Sequence, residues 1–144
     1  MLTLIDANLL VSFLLAPQRP TAAAVIVSRI TGGQGAFIIS EVSIAEVLDV
    51  TQRKPYLRQR INQIDVNDLI ASVVMFAEVA PRLSNPIPRR CRDSKDDYLL
   101  ETAKRYEADI IVSGDKDMQI LDPFEGIRIL SPAAFLGLVA SSNP

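Results

Sequence analysis

Short apolar runs that alternate with longer helix-patterned segments are the feature that most constrains the fold of this chain. Such runs are typical of strands, and they occur at 2–6 (LTLID), 36–39 (AFII), 76–80 (FAEVA), 109–113 (DIIVS) and 127–130 (IRIL). Strands that alternate with helices favour a parallel sheet whose faces are both covered. We therefore predict an α/β fold with a mostly parallel sheet.

Helical periodicity and end signals place the helices between these runs. Gly32 and Gly33 stop the first predicted helix, while Ser40 and Ser94 are predicted to cap later ones. The predicted helices cover 20–31, 41–53, 56–63, 66–76, 95–107 and 132–140, with a short helical turn over 116–121. The stretch LSNPIPRRCRDS is predicted to be a long loop, and the tail 141–144 is predicted to be frayed.

Composition limits the chemistry that the chain can perform. A chain of 144 residues that is 49% apolar suits a single globular domain, here 1–144. The absence of His and the single Cys91 exclude zinc-type clusters, His-based triads and an internal disulfide. The N-terminal run is broken by Asp6 and lacks the flanks of a signal peptide or the length of a membrane span. We expect a cytoplasmic protein without a membrane anchor.

Charge is unevenly distributed along the chain. The net charge of −2 argues against a general nucleic-acid-binding protein, but residues 53–92 carry a basic series and 93–117 carry six Asp and two Glu. The basic series consists of Arg53, Lys54, Arg58, Arg60, Arg82, Arg89, Arg90 and Arg92. This pattern predicts a basic surface beside an acidic site.

Acidic residues follow several of the predicted strands. Sites in open α/β sheets lie outside the carboxyl ends of the strands, where the strand order reverses. Asp6 ends the first strand, Asp115 lies just past the fourth, and Glu46 lies early in the helix that leaves the second. Asp96 and Asp97 open the helix that follows the third strand. We expect these acids, distant in sequence, to meet at one sheet edge.

Each acid also has a purely structural interpretation. Asp6 could bond nearby backbone in a turn, and Glu46 has the spacing of a capping box with Ser43. Asp96 and Asp97 suit the first turn of a helix, and Asp115 suits an ordinary turn. Converging carboxylates, however, repel each other unless they bind protons or a cation, and oxygen ligands alone favour Mg²⁺ or Mn²⁺. Such ions assist phosphoryl chemistry.

The chain resembles the PIN domain family, and within it the bacterial toxin components related to VapC-type toxins. The resemblance rests on LIDANLLVSFLL, IISEVSIAEVLDV, CRDSKDDYLLETAKRYEADIIVSGDKDM and IRILSPAAFL. It implies a three-layer α/β/α sandwich with a short, mostly parallel sheet and metal-dependent cleavage of RNA by water with Mg²⁺ or Mn²⁺. It also implies a small antitoxin partner that places a basic side chain among the acids. The high apolar content and the habit of the family predict a homodimer, with an apolar face supplied by 56–76 or 132–140.

The resemblance also implies roles for individual residues. The catalytic acids would be Asp6, Glu46, Asp97 and Asp115, with Glu46 orienting or deprotonating the attacking water. The ion would be held by Asp6, Asp97 and Asp115, with Asp117 as a more variable ligand. Asn8, Ser113 and Asp96 would support these acids, and Asp97 is preferred over Asp96 only because it lies eighteen residues before Asp115. No motif covers the basic residues, so RNA binding by Arg53, Lys54, Arg89, Arg90 and Arg92 is a guess.

The sequence disfavours the first two of four alternative functions. A phosphoryl-acceptor receiver domain would need an acid pair after the first strand and a Lys after the fifth, and neither is present. A haloacid-dehalogenase-type phosphatase would need Asp-x-Asp where this chain has Asp6-Ala7-Asn8. A housekeeping PIN nuclease in RNA processing or decay, or an inactive PIN module that binds RNA or a partner, would retain the same acids.

Overall fold

The computed structural model describes residues 1–142, which form a five-stranded parallel sheet. The strands are β1 (Leu2–Ile5), β2 (Ala36–Ser40), β3 (Glu78–Ala80), β4 (Ile110–Val112) and β5 (Arg128–Leu130), in the spatial order β3-β2-β1-β4-β5. All four pairings between neighbouring strands are parallel. The predicted parallel α/β sheet is therefore confirmed.

Eight helices connect and flank these strands in the described part of the chain. They are α1 (Ala7–Leu15), α2 (Ala22–Thr31), α3 (Glu41–Arg53), α4 (Pro55–Arg60), α5 (Gln63–Phe76), α6 (Ser94–Arg105), α7 (Lys116–Gln119) and α8 (Pro132–Ser142). Of these helices, none is long and apolar enough to cross a membrane. Residues 141 and 142, predicted to fray, belong to α8, and 143–144 lie outside the described residues.

Two local expectations are corrected by the structure. Helix α1 is absent from the sequence prediction because its almost uniformly apolar residues give no polar face and continue the strand-like run before Asp6. The cap of α6 is Asp93 and not Ser94, because the Asp93 side chain accepts a hydrogen bond from the Lys95 N–H. The predicted Ser40 cap of α3 is confirmed, since its hydroxyl accepts from the Val42 N–H.

The sheet divides the core into two layers, because successive strand residues point to opposite faces. On one face, Ile5, Ile39 and Val112 pack with the apolar sides of α1, α2, α3, α5 and α8. On the other face, Leu4 and Ile111 pack with α6 and with Met118 of α7. The result is the three-layer α/β/α arrangement that the resemblance implied.

The strand order reverses between β1 and β4. From β1 the chain proceeds to β2 on one side, and it returns to place β4 on the other side. The carboxyl ends of β1 and β4 therefore border the crevice in which open α/β sheets bind ligands. Asp6 directly follows β1, and Ser113 directly follows β4.

Candidate active site

Asp6 and Ser113 are bonded to each other at the carboxyl ends of β1 and β4. The Ser113 hydroxyl donates to Asp6 Oδ2 at 2.8 Å, and the Asp6 N–H donates to the Val112 carbonyl at 3.2 Å. Asn8 reaches the same point from α1, where its amide nitrogen lies 3.5 Å from Ser113 Oγ and its Oδ1 accepts from the Gly114 N–H at 3.2 Å. The structure thus brings together Asp6 and two of the predicted supporting residues.

Asp115 is held in the same network at the start of α7. Its N–H donates to Ser113 Oγ at 3.1 Å, and its Oδ1 accepts from the Asp117 N–H at 2.9 Å. Gln119 also stabilises this turn, because its side-chain amide donates to the Ser113 carbonyl at 2.7 Å. One carboxylate oxygen of Asp115 is thus used in capping α7.

A cavity of about 350 Å³ opens over these residues. Its acidic lining residues are Asp6, Glu46, Asp93, Asp96 and Asp115, and its apolar lining residues include Val11, Val42, Val50, Leu57 and Leu99. A second cavity shares Asp93, Asp96 and Asp115 with the first and extends past Asp117 to Arg90 and Arg92. The two cavities form one cleft that has the acids at its junction.

Asp96 has the most perturbed carboxyl group in this cleft. Partial burial, followed by the negative fields of Asp115, Asp93, Asp6 and Asp117, raises its pKa to about 6. Burial also raises the pKa of Asp6; the hydrogen bond from Ser113 opposes this rise, and the charge of Glu46 adds to it. The carboxylates at the junction of the cleft therefore repel one another.

Glu46 faces the cleft from the second turn of α3 and is paired with Lys95. The Lys95 Nζ lies 2.6 Å from Glu46 Oε1, and this hydrogen bond raises the pKa of Lys95. The capping-box interpretation of Ser43 and Glu46 is wrong, because the N-cap of α3 is Ser40. Lys95 was not predicted as a site residue, and no local pattern marks it, since its partner lies on a different helix.

Asp97 is not brought into this group of acids. Its side chain is buried, and its Oδ1 accepts hydrogen bonds from the N–H groups of Arg90 at 2.8 Å and Cys91 at 2.7 Å. Burial alone would raise the pKa of Asp97, but these hydrogen bonds outweigh burial, so its pKa lies below the ordinary value. Consecutive helical residues point about 100° apart, so Asp96 and Asp97 face different surroundings.

A sequence signal for Asp96 exists in the apolar stripe of α6. Leu99, Leu100 and Ala103 are buried against the sheet, and Asp96 precedes them by three, four and seven residues. Residues at these spacings share one face of a helix. The stripe therefore projects Asp96, and not Asp97, toward the sheet edge.

The predicted RNA-binding residues fall into two groups. Arg53 pairs with Asp49 on α3, and the Arg90 guanidinium pairs with Glu101 and lies 5.1 Å from the centre of the Phe124 ring. Lys54 lines the first cavity and Arg92 lines the second cavity, while Arg89 is exposed. Lys54 and Arg92 thus lie in the cavities that contain the acids, whereas the Arg90 guanidinium is occupied by its ion pair with Glu101.

The donor set suits a hard divalent cation, because it consists of carboxylate oxygens whose mutual repulsion a cation would relieve. Within residues 1–142, the acids do not approach each other closely enough, as arranged, for three of them to hold one ion. The chemistry of the cleft therefore fits Mg²⁺ or Mn²⁺, while its present geometry defines no coordination sphere.

Comparison with solved structures places this fold among known proteins. A PilT N-terminus domain protein from the hyperthermophilic archaeon Sulfolobus solfataricus P2 is similar with a TM-score of 0.57 and 13% identity, covering 96% of this chain and 92% of its own. Mycobacterium tuberculosis VapC20, described as a sarcin-ricin loop cleaving toxin, is similar with a TM-score of 0.56 and 9% identity, covering 88% of this chain and 98% of its own. At these identities the likeness concerns the fold.

Comparison by sequence identifies the family. No protein of curated function matches the chain. The family model described as PIN domain matches residues 3–117, which run from β1 through Asp117 and include every acid of the cleft. The chain belongs to the PIN domain family.

Proposed function

We propose that this protein is a metal-dependent endoribonuclease and the toxin of a toxin–antitoxin pair. PIN domains are in general nucleases. The observation that carries the proposal is the group formed by Asp6, Asp96 and Asp115 at the strand-order reversal, where the pKa of Asp96 is raised to about 6. Uncompensated carboxylates at the ligand-binding edge of an α/β sheet are unfavourable unless they serve a cation.

The ligands that we assign differ in one residue from those implied by the resemblance. Asp6, Asp96 and Asp115 would hold Mg²⁺ or Mn²⁺, with Asp117 at the rim of the second cavity. Asp96 takes the position that family spacing gave to Asp97, because only Asp96 lines the cleft. When bound, the ion would offset phosphate charge and lower the pKa of water.

Glu46 is the residue that we assign to the attacking water. It lines the same cavity as Asp6, and it is the only acid of the site that α3 supplies among the described residues. Lys95, whose Nζ lies 2.6 Å from Glu46 Oε1, would hold the Glu46 carboxylate in position. The pair is partly exposed, so water has access to it.

The cleft suits a nucleic-acid strand on both sides of the acids. The first cavity offers an apolar wall with Lys54 at its edge, and the second offers Arg92 beside Asp117. Cations of this kind would contact phosphates, whereas the apolar wall would take a base. Because the cleft continues past the acids in both directions, cleavage within a strand is favoured over removal of its ends.

The toxin role rests on similarity of fold to VapC20 and on the resemblance in sequence. A small antitoxin with a basic side chain directed into the acids would block the site, as expected from their repulsion. The toxin itself would act on cellular RNA in the cytoplasm. Expression of this chain alone should then slow growth, and co-expression of a small protein encoded beside it should restore growth.

Homodimerisation is proposed through α5, where exposed apolar side chains are concentrated. Ile64, Val74, Met75 and Phe76 are all exposed, and Met75 is 75% exposed. In a single copy these apolar side chains are in contact with water, and a second copy packed against α5 would bury them. Light scattering that shows a monomer at micromolar concentration would contradict this proposal.

The test of the function is cleavage of single-stranded RNA by the purified protein with Mn²⁺, Mg²⁺ or EDTA. We expect internal cuts that require the divalent ion. Binding of RNA without cleavage under every metal condition would instead indicate an inactive PIN module. Activity without any effect on growth would contradict the toxin role and favour a housekeeping nuclease.

A further inference from the structure

Residues 81–93, here called the arginine loop, connect β3 to α6 and carry Arg82, Arg89, Arg90 and Arg92. The loop contains three prolines and no regular secondary structure. Its backbone N–H groups therefore need partners outside a helix or sheet, and the partners that they find determine where its arginines lie.

Asp97 provides the partners at the end of the loop nearest α6. A single carboxylate oxygen, Asp97 Oδ1, accepts from the N–H groups of Arg90 and Cys91 at 2.8 and 2.7 Å. Both distances are short, as expected of hydrogen bonds to an ionised acceptor. Asp97 is 4% exposed, so water cannot replace it as the partner of these two groups.

Other side chains fix the rest of the loop to the helices beside it. Glu101, one turn after Asp97, bonds the Arg90 guanidinium at 3.2 Å, and the Tyr98 hydroxyl accepts from the Leu83 N–H at 2.6 Å. Glu41 on α3 accepts from the Arg82 N–H at 3.2 Å. The loop is thus hydrogen-bonded near both ends to side chains of α3 and α6.

We propose that Asp97 is a positioning residue that holds the arginine loop, so that Arg89 and Arg92 meet the phosphates of a nucleic-acid strand. This inference rests on the nuclease function proposed above. Arg92 lines the cavity that continues from Asp96 and Asp115, and Arg89 precedes the anchored Arg90. Arg90 itself is bonded to Glu101, and Asp97 and Glu101 hold it as part of the anchor.

The same helix turn then has two separate tasks. Asp96 faces the cleft, where a divalent ion would bind, and Asp97 faces the loop, where its charge is matched by N–H groups. A ligand and an anchor respond differently to the same conservative change. Asn keeps an acceptor oxygen but loses the charge, so it can still accept from Arg90 and Cys91 but is a poor ligand for Mn²⁺.

The test compares Asn and Ala at both positions, with Asp65→Asn as a control at an exposed position in the first turn of α5. Calorimetry with Mn²⁺ measures ion binding, and anisotropy of a labelled single-stranded RNA in EDTA measures RNA binding as salt is varied. We expect Asp96→Asn to lose Mn²⁺ binding. Asp97→Asn should keep both Mn²⁺ binding and RNA binding near the wild-type level. Asp97→Ala should keep Mn²⁺ binding, weaken RNA binding several-fold and raise KM more than it lowers kcat.

Two further readouts separate positioning from general damage. Each phosphate contact adds about 1 to the slope of log affinity against log salt concentration. Asp97→Ala should therefore lower this slope as Arg89→Ala/Arg92→Ala does, and combining these changes should lower it no further. Hydrogen exchange at the Arg90 and Cys91 amides should quicken in Asp97→Ala and stay slow in Asp97→Asn.

Two results would overturn the proposal: loss of Mn²⁺ binding in Asp97→Asn, or a wild-type salt slope and KM in Asp97→Ala. If Asp97→Ala does not fold, the Mn²⁺ affinity of Asp97→Asn against that of Asp96→Asn still decides between anchor and ligand. A wild-type protein that neither binds nor cleaves RNA would refute the proposed function itself, which is a different result.

Discussion

The acidic cleft and the anchor of the arginine loop lie on adjacent faces of α6, and the pKa values of their carboxyl groups are shifted in opposite directions. In the cleft, partial burial and then the charges of neighbouring acids raise the pKa of Asp96 to about 6. In the anchor, the pKa values of Asp97 and Glu101 lie below their ordinary values despite burial, because N–H groups and Arg90 compensate the charge. The contrast teaches that burial of an acid does not indicate its role; its partners do.

The largest expected effect comes from removing one charge in the cleft. Asp96→Asn should lower RNA hydrolysis by more than the roughly 10–100-fold that loss of an outer-sphere partner costs a metal site. Its metal-free melting temperature should stay level or rise, because repulsion by Asp6, Asp93 and Asp115 is relieved. Asp6→Asn and Asp115→Asn should lose activity similarly, although Asp115 also caps α7.

Rates of RNA cleavage in Mn²⁺ and melting curves in EDTA measure the two quantities. Asp65→Asn serves as the control, since Asp65 lies on α5 away from the cleft. Wild-type cleavage by Asp96→Asn would refute the assignment of Asp96 as a ligand.

The next effect should appear in the anchor. Asp97→Ala removes the acceptor of two short hydrogen bonds, and each N–H group left without a partner costs about 1–3 kcal/mol. Asp97→Asn should cost less, since it retains an acceptor oxygen. Urea unfolding in EDTA gives the free energies of unfolding, and equal losses in the two variants would argue that charge, and not hydrogen bonding, holds the loop.

The two acids should also give stability opposite pH dependences. Asp96 has a raised pKa, so the folded state holds its proton more tightly than the unfolded state between pH 3.8 and about 6. Its contribution therefore decreases stability as the pH rises through that window. Asp97 and Glu101 have lowered pKa values, so the stability they provide is present above the ordinary carboxyl range and is lost as the pH falls through their folded pKa values.

This pH prediction is measured as the difference in free energy of unfolding between Asp96→Asn and the wild type, in EDTA. The difference should grow in favour of the variant as the pH rises toward and past 6. A difference that does not change with pH would mean that Asp96 is not perturbed by its neighbours.

The smallest effect is expected at Lys95. Its side chain is 58% exposed and its ammonium pairs with Glu46, and such exposed pairs contribute about 0–1 kcal/mol to stability. Lys95→Met should therefore change metal-free stability little, while the added net negative charge tightens Mn²⁺ binding several-fold. Calorimetry decides the point, and weaker Mn²⁺ binding in the variant would indicate that Lys95 supports the site and does not compete with the ion.

The sequence was sufficient to predict the sheet and the position of Asp6 and Asp115 at its carboxyl edge, while the catalytic roles of the acids stay predictions. Strand-length apolar runs alternating with helical periodicity specify a parallel α/β sheet, because a strand buried on both faces must be apolar and its crossover must be a helix. Asp6 and Asp115 follow directly from this, since residues just after parallel strands meet at one edge. Helix α1 was not predicted, because a segment that is apolar on most sides lacks the hydrophobic periodicity by which an amphipathic helix is identified.

Only the tertiary structure decided what Asp96 and Asp97 contact, and only it brought Lys95 to Glu46. The apolar stripe of α6 marks the side on which Asp96 lies, but only the packing of Leu99 and Ala103 against the sheet brings that side to the cleft and leaves Asp97 to the loop. The Lys95–Glu46 contact joins two helices whose distance no local pattern encodes. Periodicity fixes which side of a helix is buried, but the partner that a polar group meets depends on how the elements pack.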